Sequence, residues 1–294
     1  MLEDINTGRL NIGDVARGIK KNGDIDNGVA INGDFVKMEE TFTDMPILIY
    51  DGPFSEHMLK QEPKMLEGKQ DITRQQAEQK VKEFMGAGEG NITFDGIEES
   101  AIESYTFSSG DISIAVTKRG GYVTYMSSSK VSDDATVTPE DCVKKAYEFL
   151  SRRGMNNMKE SYYFVEEGVC TVNFAYMDGD VLCYTDLIKV GVATDSGEIV
   201  VYDARGYLTN HCERDFEKKN LSMAEAKTKL SPYLKVRNSR ETLIPTDGLN
   251  EKHCYEYRCY GKGGQEVLVY INCVTGYEEQ ISILLYGDDG VLAV

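Results

Sequence analysis

The stretch Ile72-Thr73-Arg74-Gln75-Gln76-Ala77-Glu78-Gln79-Lys80-Val81 returns twice further along the chain. It recurs as Val137-Thr138 leading to Cys142, Lys145 and Ala146, and as Leu221-Ser222 leading to Ala226, Lys229 and Leu230. In each copy a hydroxyl stands where it accepts from the free N–H groups of a helix's first turn, and the residues four and eight positions on share one face. Each copy therefore predicts a capped amphipathic helix. Gln76 and Glu225 stand three residues after their caps, as a capping box requires, and Pro139 takes the first helical position after Thr138, where its missing N–H costs nothing.

A second pattern follows each helix, apolar-x-apolar with a glycine five residues on. It reads Ile114-x-Val116 to Gly121, Val190-x-Val192 to Gly197, and Val269-x-Ile271 to Gly276. Alternation at period two marks a strand with one buried face, and the glycine supplies the positive φ of a tight hairpin. Upstream turns are legible at Ser109-Gly110, Asp178-Gly179 and Gly261-Lys262-Gly263-Gly264. The fold class is thus α+β, as three tandem modules, each one helix packed on a small antiparallel sheet. The expected division is residues 71–135, 136–216 and 217–294, preceded by a partly helical segment and connector over 1–70. Within that segment Ile31, Phe35, Met38 and Phe42 form a helical stripe that ends before Pro46, although six glycines between positions 8 and 33 weaken it.

The chain has 294 residues and a net charge of −17. That acidic excess excludes the phosphate-tracking basic surface of a nucleic-acid binder. A hydrophobic fraction of 41% suffices for packed cores and argues against global disorder. No apolar run approaches the ~18 residues of a membrane-spanning helix, and Met1 to Ile5 shows no signal-peptide pattern. Seven cysteines form no Cys-x-x-Cys pair, and an odd number cannot all pair within one chain, so mostly free thiols are expected.

Motifs with catalytic or ligand-holding potential fail one by one. Asp4-Ile5-Asn6 and Asp24-Ile25-Asp26 echo a calcium loop, but position six is Arg9 or Val29 and position twelve is Val15 or Phe35, where glycine and a bidentate carboxylate are required. Gly261-Lys262-Gly263-Gly264 opens a strand, not the helix of a phosphate loop, and Gly86-x-Gly88-x-Gly90 follows a helix as a stop signal. His57, His211 and His253 lack helical metal-site spacing. Cys254 and Cys259 near His253 fall in a strand pattern, which gives them core or face-lining roles. Asn91-Ile92-Thr93 and Asn220-Leu221-Ser222 match the glycosylation sequon as chance occurrences. No nucleophile elbow is present. The expectation is a protein that is not an enzyme and takes no metal and no cofactor.

The segment Met45-Pro46-Ile47-Leu48-Ile49-Tyr50-Asp51-Gly52-Pro53-Phe54-Ser55 resembles the Leu-Ile-Tyr-Asp-Gly-Pro-Phe-Ser segment of the germination protein YpeB family. The three repeats resemble PepSY modules, and Leu284 to Leu292 is similar to the end of that family's last repeat. The resemblance covers residues 42–294. It implies a spore protein on the extracytoplasmic, cortex-facing side of the inner membrane. There it binds the cortex-lytic enzyme SleB and keeps the lysin localised, stabilised and inactive until germination. The family's N-terminal anchor is not found in this sequence, so the chain reads as a trimmed or partial ectodomain, membrane-attached only through that anchor. The alternative is a PepSY protein that inhibits a peptidase or other hydrolase outside sporulation.

One candidate site emerges. Tyr50, Asp51, Gly52, Pro53 and Phe54 place two restrained turn residues between large aromatics. The segment is expected to be ordered, either as a staple between the N-terminal region and the first repeat or as part of the partner-binding surface.

Overall fold

Three helices begin where the hydroxyls predict. In α1 (Arg74–Met85), the Thr73 side chain accepts from the Gln76 N–H at 3.3 Å, and the Gln76 side chain accepts from the Thr73 N–H at 2.8 Å. In α2 (Pro139–Ser151), Thr138 accepts from the Asp141 N–H at 3.2 Å, with proline at the first position. Ser222 and Glu225 form a second capping box. The helix behind it is short, Met223–Lys227, because the Thr228 hydroxyl turns back to the Glu225 carbonyl at 2.7 Å and Pro232 disfavours helix at Ser231. A further helix that no repeat signals, Arg205–Asn210, lies between these; in chain order it is α3 and Met223–Lys227 is α4. A Cβ at Gly206 would lie 3.1 Å from the Leu187 carbonyl oxygen, so this helix packs close against a strand backbone and any larger residue there would need it to give by a few tenths of an ångström.

This computed structural model describes residues 62–86, 91–129, 135–246, 250–287 and 290–293, with the backbone alone over 285–287 and 290–293. The helical stripe over 31–42 and the segment Tyr50 to Phe54 lie outside the described residues. Thirteen strands follow in order: β1 (Thr93–Glu98), β2 (Ser104–Ser109), β3 (Ile112–Thr117), β4 (Val123–Ser128), β5 (Met158–Glu166), β6 (Val169–Asp178), β7 (Val181–Ala193), β8 (Ile199–Asp203), β9 (Lys235–Pro245), β10 (Glu251–Tyr260), β11 (Glu266–Asn272), β12 (Glu278–Gly287) and β13 (Gly290–Ala293).

Within each unit the strands pair antiparallel with their sequence neighbours, and Gly121, Gly197 and Gly276 turn the hairpins at φ of 71°, 73° and 74°. The cap and the hairpin then meet. The N–H of the residue before each cap donates to the carbonyl three positions before that glycine: Ile72 to Lys118 at 2.8 Å, Val137 to Thr194 at 2.8 Å, and Leu221 to Cys273 at 3.1 Å. The two repeating signatures are thus two halves of one joint. It lays each helix across its strands with Ala77, Cys142 or Ala226 fully buried beneath it.

The three separate small sheets expected from the repeats are not found among the described residues, because their strands join edge to edge into one large sheet. Tyr125 to Ser127 of β4 pair with β8, and β5 meets β13 at Phe164 and Gly290, giving one sheet in the order β1-β2-β3-β4-β8-β7-β6-β5-β13-β12-β11-β10-β9. Val181 to Cys183 of β7 also run parallel to Glu241 to Leu243 of β9. With that pairing, the hydrogen-bonded strands of the second and third units close a ring of eight. Edge strands leave a row of unpaired backbone groups, and joining edge to edge satisfies them.

The first two units share a single core that includes Phe107, Ile114, Leu150, Phe174, Ile188 and Tyr202. Phe84 of α1 sits 5.7 Å from Phe149 of α2 and 5.0 Å from Tyr202, and the Arg153 guanidinium covers both phenylalanines at 4.3 and 3.5 Å. Cation–π contacts of this kind contribute roughly 0.5–2 kcal/mol. The third unit packs its own core, Tyr255, Tyr257, Val269 and Ile271, under Ala226.

Thr138→Ala is expected to cost about 0.5–2 kcal/mol through the lost cap. Gly197→Ala is expected to cost about 1–2 kcal/mol because alanine must hold a left-handed φ. Because both act on one joint, the double variant should deviate from additivity by more than ~0.5 kcal/mol in urea unfolding.

Candidate functional site

The most highly charged buried cluster among the described residues lies where the second unit meets the third. β7 contributes Thr185 and Asp186, the connector after α3 contributes His211 and Arg214, and β10 contributes Glu251. The Arg214 guanidinium grips two carboxylates at once. Its Nη2 and Nη1 donate to Asp186 Oδ1 and Oδ2 at 2.6 and 2.8 Å, while Nη2 and Nε donate to Glu251 Oε1 and Oε2 at 2.7 and 3.0 Å. Asp186 is wholly buried and the Arg214 side chain is 6% exposed. Charged groups so placed must be paired to be tolerated, and the forked guanidinium meets that demand better than any other side chain.

Burial alone would raise the Asp186 carboxyl, but the hydrogen bonds from His211 and Arg214 outweigh it and hold the group below the usual carboxylate range. Burial acts to lower the Arg214 guanidinium as well, and Glu251 and Asp186 more than reverse it. His211 Nδ1 lies 2.8 Å from Asp186 Oδ2, with the imidazole stacked on Tyr207 at 4.3 Å and edge-on to Tyr176 at 4.6 Å. An aspartate orienting a histidine is half of a nucleophile-activating triad. Here the ring is held between tyrosines, and among the described residues no serine, threonine or cysteine side chain hydrogen-bonds to it. The contacts present tie β7 to the connector after α3.

A second cross-link lies beside it. The Tyr184 hydroxyl of β7 donates to Glu256 of β10 at 2.6 Å, and Arg240 of β9 donates to the same carboxylate at 2.7 Å. Burial, followed by the Glu256 charge, pushes the Tyr184 phenol well above its ordinary range, so it stays protonated as a donor.

Among the described residues, the others singled out from sequence occupy structural positions. His253 is half-buried with its ring against Phe216 and Nε2 at 3.3 Å from Glu241 Oε2, and Cys254 and Cys259 are fully buried. Among the described residues no group of three or more His, Cys, Asp or Glu side chains is placed to hold a metal ion. The Gly261 to Gly264 segment is the β10–β11 hairpin turn, closed by the Gly261 N–H on the Gln265 carbonyl at 2.8 Å. Ser222 of the second sequon is committed to its capping box, and the Asn220 amide donates to the Val274 carbonyl at 3.1 Å. Sequence reading passed over Arg214, Asp186 and Glu251. Carboxylates are abundant along the chain, and these partners are 28 and 37 residues from the arginine.

Comparison with known proteins follows the same lines. The structure aligns with the Bacillus megaterium YpeB C-terminal domain at a TM-score of 0.66 and 23% identity, covering 74% of this chain and all of that one. That likeness establishes a shared α+β fold dominated by a large sheet with few helices. Residues 31–217 match the family model described as YpeB sporulation, PepSY1 and PepSY2 domains, and the chain belongs to that family. The sporulation protein YpeB of Halalkalibacterium halodurans is 32% identical over 56% of this chain and 37% of its own length. That of Bacillus subtilis is 30% identical over 74% of this chain and 50% of its own length. The chain thus spans half or less of the curated relatives it matches. Among the described residues no helix is long and apolar enough to cross a membrane.

Arg214→Met strands the buried Asp186 carboxylate and the half-buried Glu251 carboxylate and is expected to cost about 3–5 kcal/mol. Adding Asp186→Asn and Glu251→Gln should recover part of that loss, read by urea unfolding at neutral pH.

Burial lowers the His253 imidazole below its ordinary value near 6.5, against the opposing pull of Glu241. The unfolded chain therefore binds the proton first as the solution is acidified. Its contribution to stability is full above about pH 6.5 and is lost as the pH falls toward the folded value. His253→Phe should flatten that acid limb when melts are collected stepwise from pH 8 downward.

Proposed function

We propose that this protein is a non-enzymatic regulator of spore germination. It binds the cortex-lytic hydrolase SleB on the extracytoplasmic face of the spore inner membrane and keeps it localised, stable and restrained until germination. The observation that carries this reading is the match of residues 31–217 to the YpeB sporulation family, a span that includes Tyr50 to Phe54 and the first two helix-and-hairpin repeats. On the same reading the three units are three PepSY-like modules. The first two fall under the family's PepSY1 and PepSY2, and the third starts where that match ends.

The physical character of the molecule suits such a role. A partner that restrains an enzyme needs a stiff surface, since ordering loops on binding costs affinity. Here the second and third units are joined by backbone pairing and by two buried charged cross-links. The net charge of −17 favours a partner whose docking face is basic, through long-range attraction that salt weakens. Tyr50 and Phe54, in the connector that precedes the first unit, are the proposed partner contacts or the staple between the N-terminal region and that unit.

Mixing this chain with purified SleB tests the reading. Co-elution on size exclusion and slowed hydrolysis of cortex peptidoglycan, both weakening as salt rises, are the expected results. Independent migration with undiminished hydrolysis at concentrations well above those of the enzyme contradicts it. Tyr50→Ala with Phe54→Ala divides the segment's two roles. Lost binding at unchanged melting temperature marks a contact, and lowered melting temperature with binding intact marks a staple.

A further inference from the structure

The chain is acidic overall, yet one end of the third unit is not. From Ala226 to Arg240 the sequence carries Lys227, Lys229, Lys235, Arg237 and Arg240 and no aspartate or glutamate. The fold gathers the second half of this stretch with the β10–β11 hairpin. Lys235 at the start of β9 is the Cα partner of Tyr260 at the end of β10. Lys262, in the turn beyond, places Nζ 4.0 Å from the centre of the Tyr233 ring, and the Arg237 guanidinium lies 5.9 Å from that of Tyr260. All five of these residues are exposed, Tyr233 at 65%.

Glu266 is buried beside them and is held by two guanidiniums, Arg237 at 2.9 Å and Arg258 at 2.6 Å, so it leaves the cations in excess. Lys235 and Lys262 form no ion pair among the described residues. Lysines at such a place can also guard an edge, since the first half of β9 pairs only with β10. That role does not reach Lys262 in the turn, nor the two tyrosine rings left in solvent beside the charges.

We propose that this end of the third unit docks on an anionic bilayer surface, with Lys235 and Lys262 at the level of the lipid phosphates and the rings of Tyr233 and Tyr260 among the headgroups. A lysine near such a surface raises partition about fivefold, and tyrosine, apolar in body and polar at its tip, settles at the same depth. The net charge of −17 does not oppose this, because only charges within a Debye length of the surface, about 8–10 Å, feel it strongly. Point charges and phenol rings suit a plane of headgroups. Recognition of a single carboxylate calls for a free guanidinium fork, and both guanidiniums here are engaged by Glu266. The docking holds whether or not SleB is the partner, and it leaves the acidic remainder of the surface for a basic one.

The sequence has no tryptophan, so two single-tryptophan variants of the full chain report on opposite ends of the unit's strands. Tyr233→Trp lies in the patch, and Tyr277→Trp replaces a 74% exposed ring in the β11–β12 turn. Each is mixed with vesicles of phosphatidylglycerol and phosphatidylcholine in equal parts, carrying quencher-labelled lipid, and with phosphatidylcholine vesicles alone. The expected result is a blue shift and quenching of the Tyr233→Trp emission on the anionic vesicles only, lost at raised salt, with the Tyr277→Trp emission unchanged. Adding Lys235→Gln and Lys262→Gln, both exposed, should raise the lipid needed for half the effect about 25-fold. A Tyr233→Trp signal that is unchanged at millimolar lipid, moves equally on neutral vesicles, or survives the two lysine changes overturns the proposal. An equal shift at Tyr277→Trp does so too, since it marks adsorption without orientation. Binding to soluble polyglutamate with no quenching by labelled lipid would replace the bilayer with an acidic polypeptide as the occupant.

Discussion

The structure depends on one backbone hydrogen bond made three times. The residue before each helix cap gives its N–H to the carbonyl three residues ahead of the hairpin glycine, as Ile72 to Lys118, Val137 to Thr194 and Leu221 to Cys273. A helix laid on a sheet has its start defined by its cap and its direction defined by whatever holds the residue before the cap. Here that residue is anchored to the end of the strand it must cross, and the glycine's left-handed φ places the carbonyl. The glycine also stays out of the way. A Cβ at Gly121 would sit 3.0 Å from the Ile72 side chain, and one at Gly276 would sit 3.4 Å from Leu221.

Small units of this kind bury too little surface to stand alone, and the chain solves that in two ways. The first two units pool their cores around Phe84, Phe149 and Tyr202. The second and third are joined by strand pairing and by Arg214, whose two carboxylate partners come from different units. A buried ion pair contributes less net stability than its geometry suggests, because desolvating the charges offsets much of the attraction. Its contribution is specificity of placement, since a docking that moved Glu251 away would leave the buried Asp186–Arg214 pair without its second carboxylate.

Local features were legible in the sequence because they rest on contacts three or four residues apart. Thr73, Thr138 and Ser222 cap helices, Gly121, Gly197 and Gly276 turn hairpins, and Pro139 opens α2, each for a reason visible in a few residues. The shortness of α4 was not read from the sequence: the apolar pattern runs on to Leu230, beyond the helix's last residue, Lys227. What else escaped is long-range. The parallel pairing of β7 with β9 leaves no periodic signal, α3 is short and carries a glycine in its interior, and Arg214 looks like any other arginine until the fold brings Asp186 and Glu251 to it. The family motif at Tyr50 to Phe54 was legible as a resemblance, and its surroundings lie outside the described residues.

Native-state hydrogen exchange at the backbone amides of Ile72, Val137 and Leu221 tests the central claim most directly. All three precede their helices, at positions where an unanchored amide exchanges freely. If the cap-to-hairpin bond organises each unit, these three amides are protected to the same degree as the neighbouring core strands and lose protection together with their own unit. Exchange of all three at the rate of an open connector, while the helices and strands on either side stay protected, would contradict the account.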